Sequence, residues 1–322
     1  MTSFWQTSLY LICQTIGMVG ECMVIDDIMW WFGLIVLGFG IGIITGLFGI
    51  GGGFLLTPAL RIFFDISYPV AIGSSLLQIT ATSMLSVYNH WRQQNLDLKL
   101  GSVTIIGSLA GTECGVRLLH AISMKGTIEF AGYSTEFMDL LINTCFFLLM
   151  ACVAGFMLRE VYQSNKTGID EPDTGCCKLL HQCSLPPFMC FEQAAIPRLS
   201  FWVPTGLSFI VGCLTGLLGI GGGFVSLPLM IYLLGVPTRI AVGTSTLQVL
   251  LASAYGMFRH LQAGHVNVLL VIFMFFGSIA GVNAGVRLAK RVNVRDTRKY
   301  FAGVLIGGLL LIVYDVVRKL NG

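Results

Sequence analysis

The stretch Gly46-Leu-Phe-Gly-Ile-Gly-Gly-Gly-Phe54 occurs twice in this chain, the second time as Gly216-Leu-Leu-Gly-Ile-Gly-Gly-Gly-Phe224, 170 positions later. At that shift, 25 of the 73 positions from 46 to 118 are identical to those in 216–288, with no gap. Chance matching of two apolar segments would not keep glycine, glutamine, histidine and arginine in register. The sequence therefore predicts an internal duplication, and residues 170 positions apart are called counterparts below.

The composition around these two copies is that of a membrane protein. Of the 322 residues, 55% are hydrophobic and only 11% are charged, whereas soluble domains carry roughly 25% charge. This excludes an ordinary soluble protein and a disordered chain. The apolar runs are continuous and roughly 17–23 residues long, which is typical of bilayer-spanning helices rather than of barrel strands. We predict an all-α polytopic membrane protein, with no basic stripe suited to nucleic acid.

Apolar and polar stretches divide the chain into four parts. Residues 1–29 form an N-terminal extension, interpreted as an interfacial helix. Membrane repeat 1 covers 30–158, a cytoplasmic Cys-rich linker covers 159–199, and membrane repeat 2 covers 200–322. In each repeat, the apolar segment that follows the glycine run is too short for a full perpendicular span.

The basic residues predict how the two repeats cross the membrane. Each repeat begins with a glycine-broken element, 30–64 or 200–234. If this element crosses the membrane twice, each repeat has five crossings, an odd number, and the two repeats are inverted. With the N-terminus outside, 13 of the 19 basic residues then lie inside, in agreement with the positive-inside rule. A single crossing per element gives no such bias. We expect two inverted five-helix repeats with glycine-broken short helices, a design found in secondary transporters.

The glycine runs predict an anion site. Glycine costs about 1 kcal/mol relative to alanine inside a helix, and unwound backbone is tolerated in a bilayer only where it is buried in protein or lines a cavity. The N–H groups at the start of the following short helix would then face an oxyanion. Close helix packing is the alternative. The two predicted cradles consist of Gly51, Gly52, Gly53, Phe54, Gly221, Gly222, Gly223 and Phe224.

Polar residues at matching positions of the two repeats extend this hypothesis. In each repeat they fall within five consecutive positions of one helix, where residues three or four apart share a face. Hydroxyl and amide groups suit the oxygen atoms of a small anion, and interhelical hydrogen bonding is the alternative. The candidate binding residues are Ser74, Ser75, Gln78, Thr244, Ser245 and Gln248.

Three titratable residues are candidates for proton coupling. Glu113 lies within a predicted span, where its counterpart is the neutral Asn283. An intramembrane carboxylate is a functional candidate by default, and an ion pair with Arg117 is the structural alternative. His90 and His260 occupy matching helix ends, where a histidine either titrates near neutral pH or caps the last turn.

The linker contains a cluster of thiols and one imidazole. Four such ligands can bind Zn2+, but two adjacent cysteines are an unusual ligand pair, and the cluster has no Cys-x-x-Cys spacing. The pattern favours free thiols and leaves a metal site as the weaker hypothesis, and we expect no cofactor. The residues concerned are Cys176, Cys177, His181, Cys183 and Cys190.

The duplicated glycine motif, followed in both copies by Ala-x-Gly-Ser/Thr-Ser-x-Leu-Gln, resembles the sulfite exporter TauE/SafE family, also called the sulfonate uptake permeases. The resemblance spans most of 30–318. It implies transport of sulfite, sulfonates or other small organosulfur anions across the cytoplasmic (inner) membrane of a bacterium. The N-terminal extension and the Cys-rich linker depart from the family pattern.

The expected function is therefore a secondary transporter that moves a small sulfur oxyanion or organosulfonate by alternating access. A passive anion channel with the same glycine-loop site is the alternative, and flux driven by a pH gradient distinguishes the two. An enzyme is not expected, because no His-Glu-x-x-His, Gly-x-Ser-x-Gly or paired catalytic carboxylates occur. The lipid bilayer is the expected surrounding, and a homodimer is compatible with the sequence.

Overall fold

A computed structural model describes residues 28–48, 53–123, 127–130, 133–167, 185–194, 196–289 and 294–321. These residues are mostly helical, as predicted for an all-α membrane protein. The predicted interfacial helix near the N-terminus lies outside the described residues, and so does most of the thiol cluster.

The described residues of repeat 1 form five helices and one β-hairpin. These are α1 (Ile28–Phe48), α2 (Gly53–Phe64), α3 (Tyr68–Arg92), α4 (Leu98–Ser123), β1 (Thr127–Phe130), β2 (Tyr133–Glu136) and α5 (Phe137–Thr167). The strands β1 and β2 are antiparallel. α5 continues past the predicted boundary at residue 158, because no glycine or proline occurs between that residue and Gly168.

Repeat 2 follows a second antiparallel hairpin in the linker, formed by β3 (Phe188–Phe191) and β4 (Ile196–Ser200). Its helices are α6 (Trp202–Leu218), α7 (Gly223–Pro228), a π-helical turn (Leu229–Leu233), α8 (Thr238–Gln262), α9 (Val268–Ala289) and α10 (Val294–Asn321). Proline has no N–H to donate, and the chain changes from α- to π-helical geometry directly after Pro228. Repeat 2 therefore has the same five helical elements as repeat 1.

Five helices among the described residues are long and apolar enough to cross a membrane. They are Trp30–Phe48, Tyr68–Arg92, Leu141–Arg159, Thr238–Gln262 and Val268–Leu288. Shorter apolar helices cover Gly53–Phe64, Trp202–Leu218, Gly223–Leu233 and Tyr300–Tyr314. The helices that follow the two glycine runs are thus short, as the sequence predicts, and the chain is a multi-pass membrane protein.

Helices of one repeat pack along helices of the other, so the two repeats do not form separate bodies. α1 of repeat 1 packs along α9 of repeat 2, and α6 of repeat 2 packs along α4 of repeat 1, and these are the two most extensive helix pairs. Under the 170-residue shift α6 is the counterpart of α1, and α9 is the counterpart of α4. The two pairs are therefore equivalent, as a two-fold relation between the repeats requires.

Glycines make the close approach within both helix pairs. A Cβ at Gly42 in α1 would lie 2.5 Å from the backbone oxygen of Ser278 in α9. A Cβ at Gly212 in α6 would likewise collide with the backbone oxygen of Ser108 in α4. Gly212 is the counterpart of Gly42, and Ser278 is the counterpart of Ser108. Backbone contact at glycine, which is common between membrane helices, thus joins the repeats symmetrically.

Gly42→Val is expected to destabilise the folded protein, because its side chain would push α1 away from the α9 backbone. Overpacking of a closed interface costs roughly 1–3 kcal/mol. Gly40→Val, on the same helix, is the matched control, since a Cβ at Gly40 meets nothing within 4 Å. Thermal unfolding of both variants in one detergent measures the difference, and equal Tm values would contradict the role given to Gly42.

α3 and α8 are counterparts and pack against each other in opposite directions. The Thr80 hydroxyl donates to Ser253 Oγ at 3.0 Å. The pairs in contact are Leu76 with Gly256, Thr80 with Ser253, and His90 with Gly243. Rising residue numbers in α3 meet falling numbers in α8, so the two helices are antiparallel.

α2 folds back along α1. The rings of Trp30 and Phe64 lie 5.4 Å apart between centroids, and a Cβ at Gly33 would lie 3.2 Å from the Phe64 ring. The end of α2 is therefore beside the beginning of α1, and the glycine-broken element is a hairpin.

Candidate functional site

The glycine loop of repeat 2, residues 219–222, connects α6 to α7. Gly221 and Gly222 have φ values of +73° and +72°, a left-handed conformation that residues with a side chain rarely adopt. The carbonyl oxygen of Gly222 accepts hydrogen bonds from the N–H groups of Val225 and Ser226, at 3.2 and 2.8 Å, and so begins α7. The corresponding loop of repeat 1, which includes the predicted residues Gly51 and Gly52, lies outside the described residues.

The two short helices meet at their N-terminal ends. The rings of Phe54 and Phe224 lie 4.9 Å apart between centroids, and both residues are 1% exposed. A Cβ at Gly53 would lie 2.6 Å from the carbonyl oxygen of Ile220, so α2 begins against the glycine loop of the other repeat. The first N–H groups of a helix, here those of Gly223 and Phe224 in α7, have no intrahelical acceptor. The described parts of both predicted cradles therefore come together.

Gln78 and Gln248 are buried, with 4% and 1% of their surface exposed. Gln78 Nε2 donates to Ser278 Oγ at 2.7 Å, and the Ser226 hydroxyl donates to Gln248 Oε1 at 2.8 Å. The other two amide atoms, Gln78 Oε1 and Gln248 Nε2, have no hydrogen-bond partner among the described residues. An unpaired buried polar group costs about 1–3 kcal/mol and is rare in folded proteins. Both glutamines thus retain a hydrogen-bonding atom for a ligand or water.

The glycine loop lies between the helices that carry these glutamines. A Cβ at Gly221 would be 2.8 Å from Ile79 Cγ2 and 3.5 Å from Val249 Cγ1. Ile79 directly follows Gln78, and Val249 directly follows Gln248. We call the loop, the starts of the short helices and the two glutamine amides together the central site.

Two of the predicted hydroxyl residues bind loop backbone. The Ser74 hydroxyl accepts a hydrogen bond from the N–H of Asn267 at 3.0 Å, and the Thr244 hydroxyl accepts one from the N–H of Asp97 at 3.1 Å. Asn267 and Asp97 are counterparts in the loops that follow α8 and α3. These hydroxyls hold the loop of the opposite repeat, and a contact with the anion stays a prediction for both.

The other two predicted hydroxyls differ from each other. Ser75 Oγ accepts a hydrogen bond from Thr57 of α2 at 3.1 Å, and the Thr57 hydroxyl also lies 3.4 Å from the carbonyl oxygen of Gly219. The Ser245 hydroxyl donates to the carbonyl oxygen of Val242 in its own helix at 3.1 Å. Ser75 is therefore linked to the glycine loop of repeat 2, whereas Ser245 is bonded locally.

Sequence reasoning missed Thr57 and Ser226. Thr57 links α2 to the glycine loop, and Ser226 orients the Gln248 amide. Their counterparts are Leu227 and Leu56, so a search for matching positions passes over them. The available signal was a hydroxyl residue inside an otherwise apolar short helix next to a conformational break.

Glu113 connects α4 to α8 through a charged cluster. Glu113 Oε1 accepts a hydrogen bond from Arg117 Nε at 2.6 Å, and Oε2 accepts one from the Tyr255 hydroxyl at 2.9 Å. Arg259 Nε lies 2.9 Å from Glu113 Oε2. Three of these four residues have uncharged counterparts, namely Asn283 for Glu113, Leu85 for Tyr255 and Asn89 for Arg259. The expected pair with Arg117 is present, and residues of repeat 2 extend it across the boundary between the repeats.

His260 contacts a neighbouring helix. Its Nε2 lies 3.5 Å from the carbonyl oxygen of Gly216 in α6, and its ring centroid lies 5.8 Å from that of His265. Burial lowers the pKa of His265, which lies in the loop after α8, and the charge of His120 adds to this effect. His90 is partly buried, and its Nδ1 has no partner among the described residues. Proton coupling by His90 or His260 stays a prediction.

The thiol cluster of the linker is only partly described. Cys190 is an exposed free cysteine. Within the described part of the chain, no group of three or more His, Cys, Asp or Glu side chains could hold a metal ion. The remaining members of the predicted cluster lie outside that part, namely Cys176, Cys177, His181 and Cys183.

Known proteins are similar to this chain over most of its length. Residues 34–312 match the family described as Sulfite exporter TauE/SafE. The probable membrane transporter proteins YunE and YjnA of Bacillus subtilis are 28% and 27% identical, over 85% and 87% of this chain and 93% and 98% of their own length. A probable membrane transporter protein of Methanocaldococcus jannaschii is 26% identical over 87% of this chain and 94% of its own. No solved structure matches the chain significantly. Because the family match covers most of its residues, the chain belongs to the Sulfite exporter TauE/SafE family.

Proposed function

We propose that this protein is a secondary transporter that moves a small sulfur-containing anion across the cytoplasmic membrane by alternating access. The observation that carries the proposal is the central site, where two buried glutamines each keep an unpaired amide atom beside the starts of two short helices. N–H groups at helix starts favour anions. Because the glutamines are neutral, such a site binds an anion without the strong fixed counter-charge that would hinder its release.

The family suggests the substrate class, and we propose the cytoplasmic (inner) membrane of a bacterium as the location. Its description names sulfite export, and the relatives are named only as probable membrane transporters. We propose sulfite, a sulfonate or another small organosulfur anion as the substrate. The chemistry agrees with this class, since amide and backbone N–H groups donate to sulfur oxyanions as they do to phosphate.

We further propose that the two repeats are inverted in the membrane. The support is the antiparallel packing of α3 and α8, which are counterparts and are both long and apolar enough to cross a membrane. Counterpart spans with opposite directions belong to repeats with opposite orientations. The return of α2 along α1 supports two passes for the glycine-broken element, and therefore five passes per repeat.

Cysteine labelling tests the inversion at Gln93 and Ala263, which are exposed counterparts in the loops after α3 and α8. In a variant without native cysteines, Gln93→Cys is expected to react only with a reagent added to the cytoplasmic side. Ala263→Cys is expected to react only from the outside. Labelling of both positions from the same side would contradict inverted repeats.

Differences between equivalent interfaces support alternating access. α8 packs on α4 more extensively than α3 packs on α9, although the two pairs are counterparts. A narrow cleft beside α6 and α7 is lined in part by Thr104 and Ser226. The counterparts of these two residues, Met274 and Leu56, belong to a closed apolar cluster between α1, α2 and α9. Unequal packing of equivalent helix pairs is expected for one state of a two-state transporter.

Thermal unfolding of the purified protein tests the substrate class. A ligand that binds only the folded state stabilises it by about 2.7 kcal/mol at a hundred times its Kd. We expect sulfite or an organosulfonate to raise Tm by several degrees, with chloride and acetate at equal ionic strength as controls. If no sulfur anion raises Tm more than these controls, the proposed substrate class is wrong.

Uptake by proteoliposomes distinguishes a passive anion channel from a transporter. A transporter coupled to protons accumulates the stabilising anion against its own gradient when a pH gradient is imposed. A channel only lets the anion equilibrate.

A further inference from the structure

The orientation of the Gln78 amide follows from its neighbours. The Ser278 hydroxyl donates to the carbonyl oxygen of Phe275, in the preceding turn of α9, at 3.0 Å. A hydroxyl has one hydrogen to donate, and with that hydrogen directed to Phe275, Ser278 Oγ accepts from Gln78. Gln78 therefore directs Nε2 to Ser278, at 2.7 Å, and its Oε1 is left as a buried acceptor without a partner.

Gln248 offers the complementary chemistry. Its Oε1 accepts from the Ser226 hydroxyl at 2.8 Å, which leaves the two hydrogens of Nε2 without a partner among the described residues. The residues that follow the two glutamines, Ile79 and Val249, both lie against Gly221. Gln78 and Gln248 thus offer one unpaired acceptor and one unpaired donor group, and each directly precedes a residue that lies against Gly221.

We infer that Gln78 Oε1 makes the central site selective for anions that carry a hydrogen-bond donor as well as negatively charged oxygens. The inference rests on the proposed function, since it concerns the anion bound at that site. An anion without a donor would place oxygen lone pairs or an apolar group against Oε1 and leave this acceptor unpaired. An N–H or O–H group on the anion pairs with Oε1, while the anionic oxygens accept from Gln248 Nε2. The class is therefore a monoanionic sulfur oxyanion with an amino or hydroxyl group.

Sulfamate and methanesulfonate are matched probes for this selectivity. Both are tetrahedral monoanions of similar size, and sulfamate has an amino group where methanesulfonate has a methyl group. In calorimetric titrations of the purified full chain, sulfamate is expected to bind at least about tenfold more tightly, because an unpaired buried acceptor is costly. Equal affinities would overturn the inference and leave the proposed function intact. Absence of binding by both probes would contradict the proposed function and the inference together.

Three variants assign the selectivity to Gln78. Gln78→Met removes the acceptor at similar side-chain length and is expected to bring the affinity for sulfamate down to that for methanesulfonate. Ser278→Ala removes one oxygen atom and frees the amide to turn, so the affinity ratio is expected to fall towards one even if Gln78→Met does not fold. Gln248→Met is the control, in which both affinities fall together and the ratio is kept. A ratio that persists in folded Gln78→Met or Ser278→Ala would overturn the inference.

Discussion

Gly222→Val is expected to raise the Kd for the transported anion at least about a hundredfold, which corresponds to about 2.7 kcal/mol. Gly222 has a φ of +72°, and a left-handed conformation of a residue with a side chain costs about 1–3 kcal/mol. A Cβ there would also lie 2.5 Å from Val211 Cγ1 and 2.7 Å from Thr215 Oγ1. The loop must therefore move, and with it the start of α7 and the Ser226 hydroxyl that orients Gln248.

The matched control for this variant is Gly206→Val in α6, where a Cβ meets nothing within 4 Å. Its Kd is expected to equal that of the unmodified protein. Gly222→Val is expected to remain folded with a Tm several degrees lower, because the collisions at Gly222 involve side chains that can shift. Calorimetric titration with the stabilising anion measures both variants, and an unchanged Kd in folded Gly222→Val would reject the cradle. Gly52→Val is predicted from the repeat alone to act in the same way.

Glu113→Gln is expected to keep anion binding but to lower the flux driven by a pH gradient at least about tenfold. The Glu113 carboxylate is held by Arg117 in α4 and by Tyr255 and Arg259 in α8. Hydrogen bonds to charged groups contribute about 1.5–3 kcal/mol each, so a proton on Glu113 weakens the contact between the repeats enough to shift a two-state equilibrium about tenfold. Glutamine keeps the shape of the side chain but cannot titrate.

Two further variants complete this experiment in proteoliposomes. Asn283→Gln changes the uncharged counterpart and is expected to leave pH-driven flux unchanged. Arg259→Gln removes a cation from the same cluster. It is expected to reduce pH-driven flux, because it weakens the contact between α4 and α8 even when Glu113 is ionised. Full pH-driven flux in Glu113→Gln would assign Glu113 to a static ion pair, the alternative that the sequence leaves open.

The sequence predicts much of the architecture because the relevant signals are local or repeated. The low charge and long apolar runs indicate membrane helices, and the glycine runs predict the breaks that precede α2 and α7. The 170-residue repeat identifies Gln78 and Gln248 as a pair before any contact is known. The two hairpins escape prediction because strands of four or five residues carry no distinct periodic pattern.

Several site residues escape prediction because they break the repeat. Thr57 and Ser226 have leucine counterparts, so the duplication gives no reason to select them. The pair of Glu113 with Arg117 can be read from the sequence, because the two residues are four positions apart in one helix. The contacts of Glu113 with Tyr255 and Arg259 cannot, because they depend on the packing of α4 against α8.

The sequence by itself determined the membrane class, the duplication and the positions of the two helix breaks, since each depends on hydropathy or on glycine within a short window. Only the tertiary structure decided which helices of one repeat pack along helices of the other and which amide atoms stay unpaired. Those outcomes depend on contacts between residues far apart in the chain, such as Gln78 with Ser278 at a separation of 200 positions and Glu113 with Tyr255 at 142. A buried amide satisfies its hydrogen bonds only with the groups that packing brings within about 3 Å, and no local pattern specifies which groups those are.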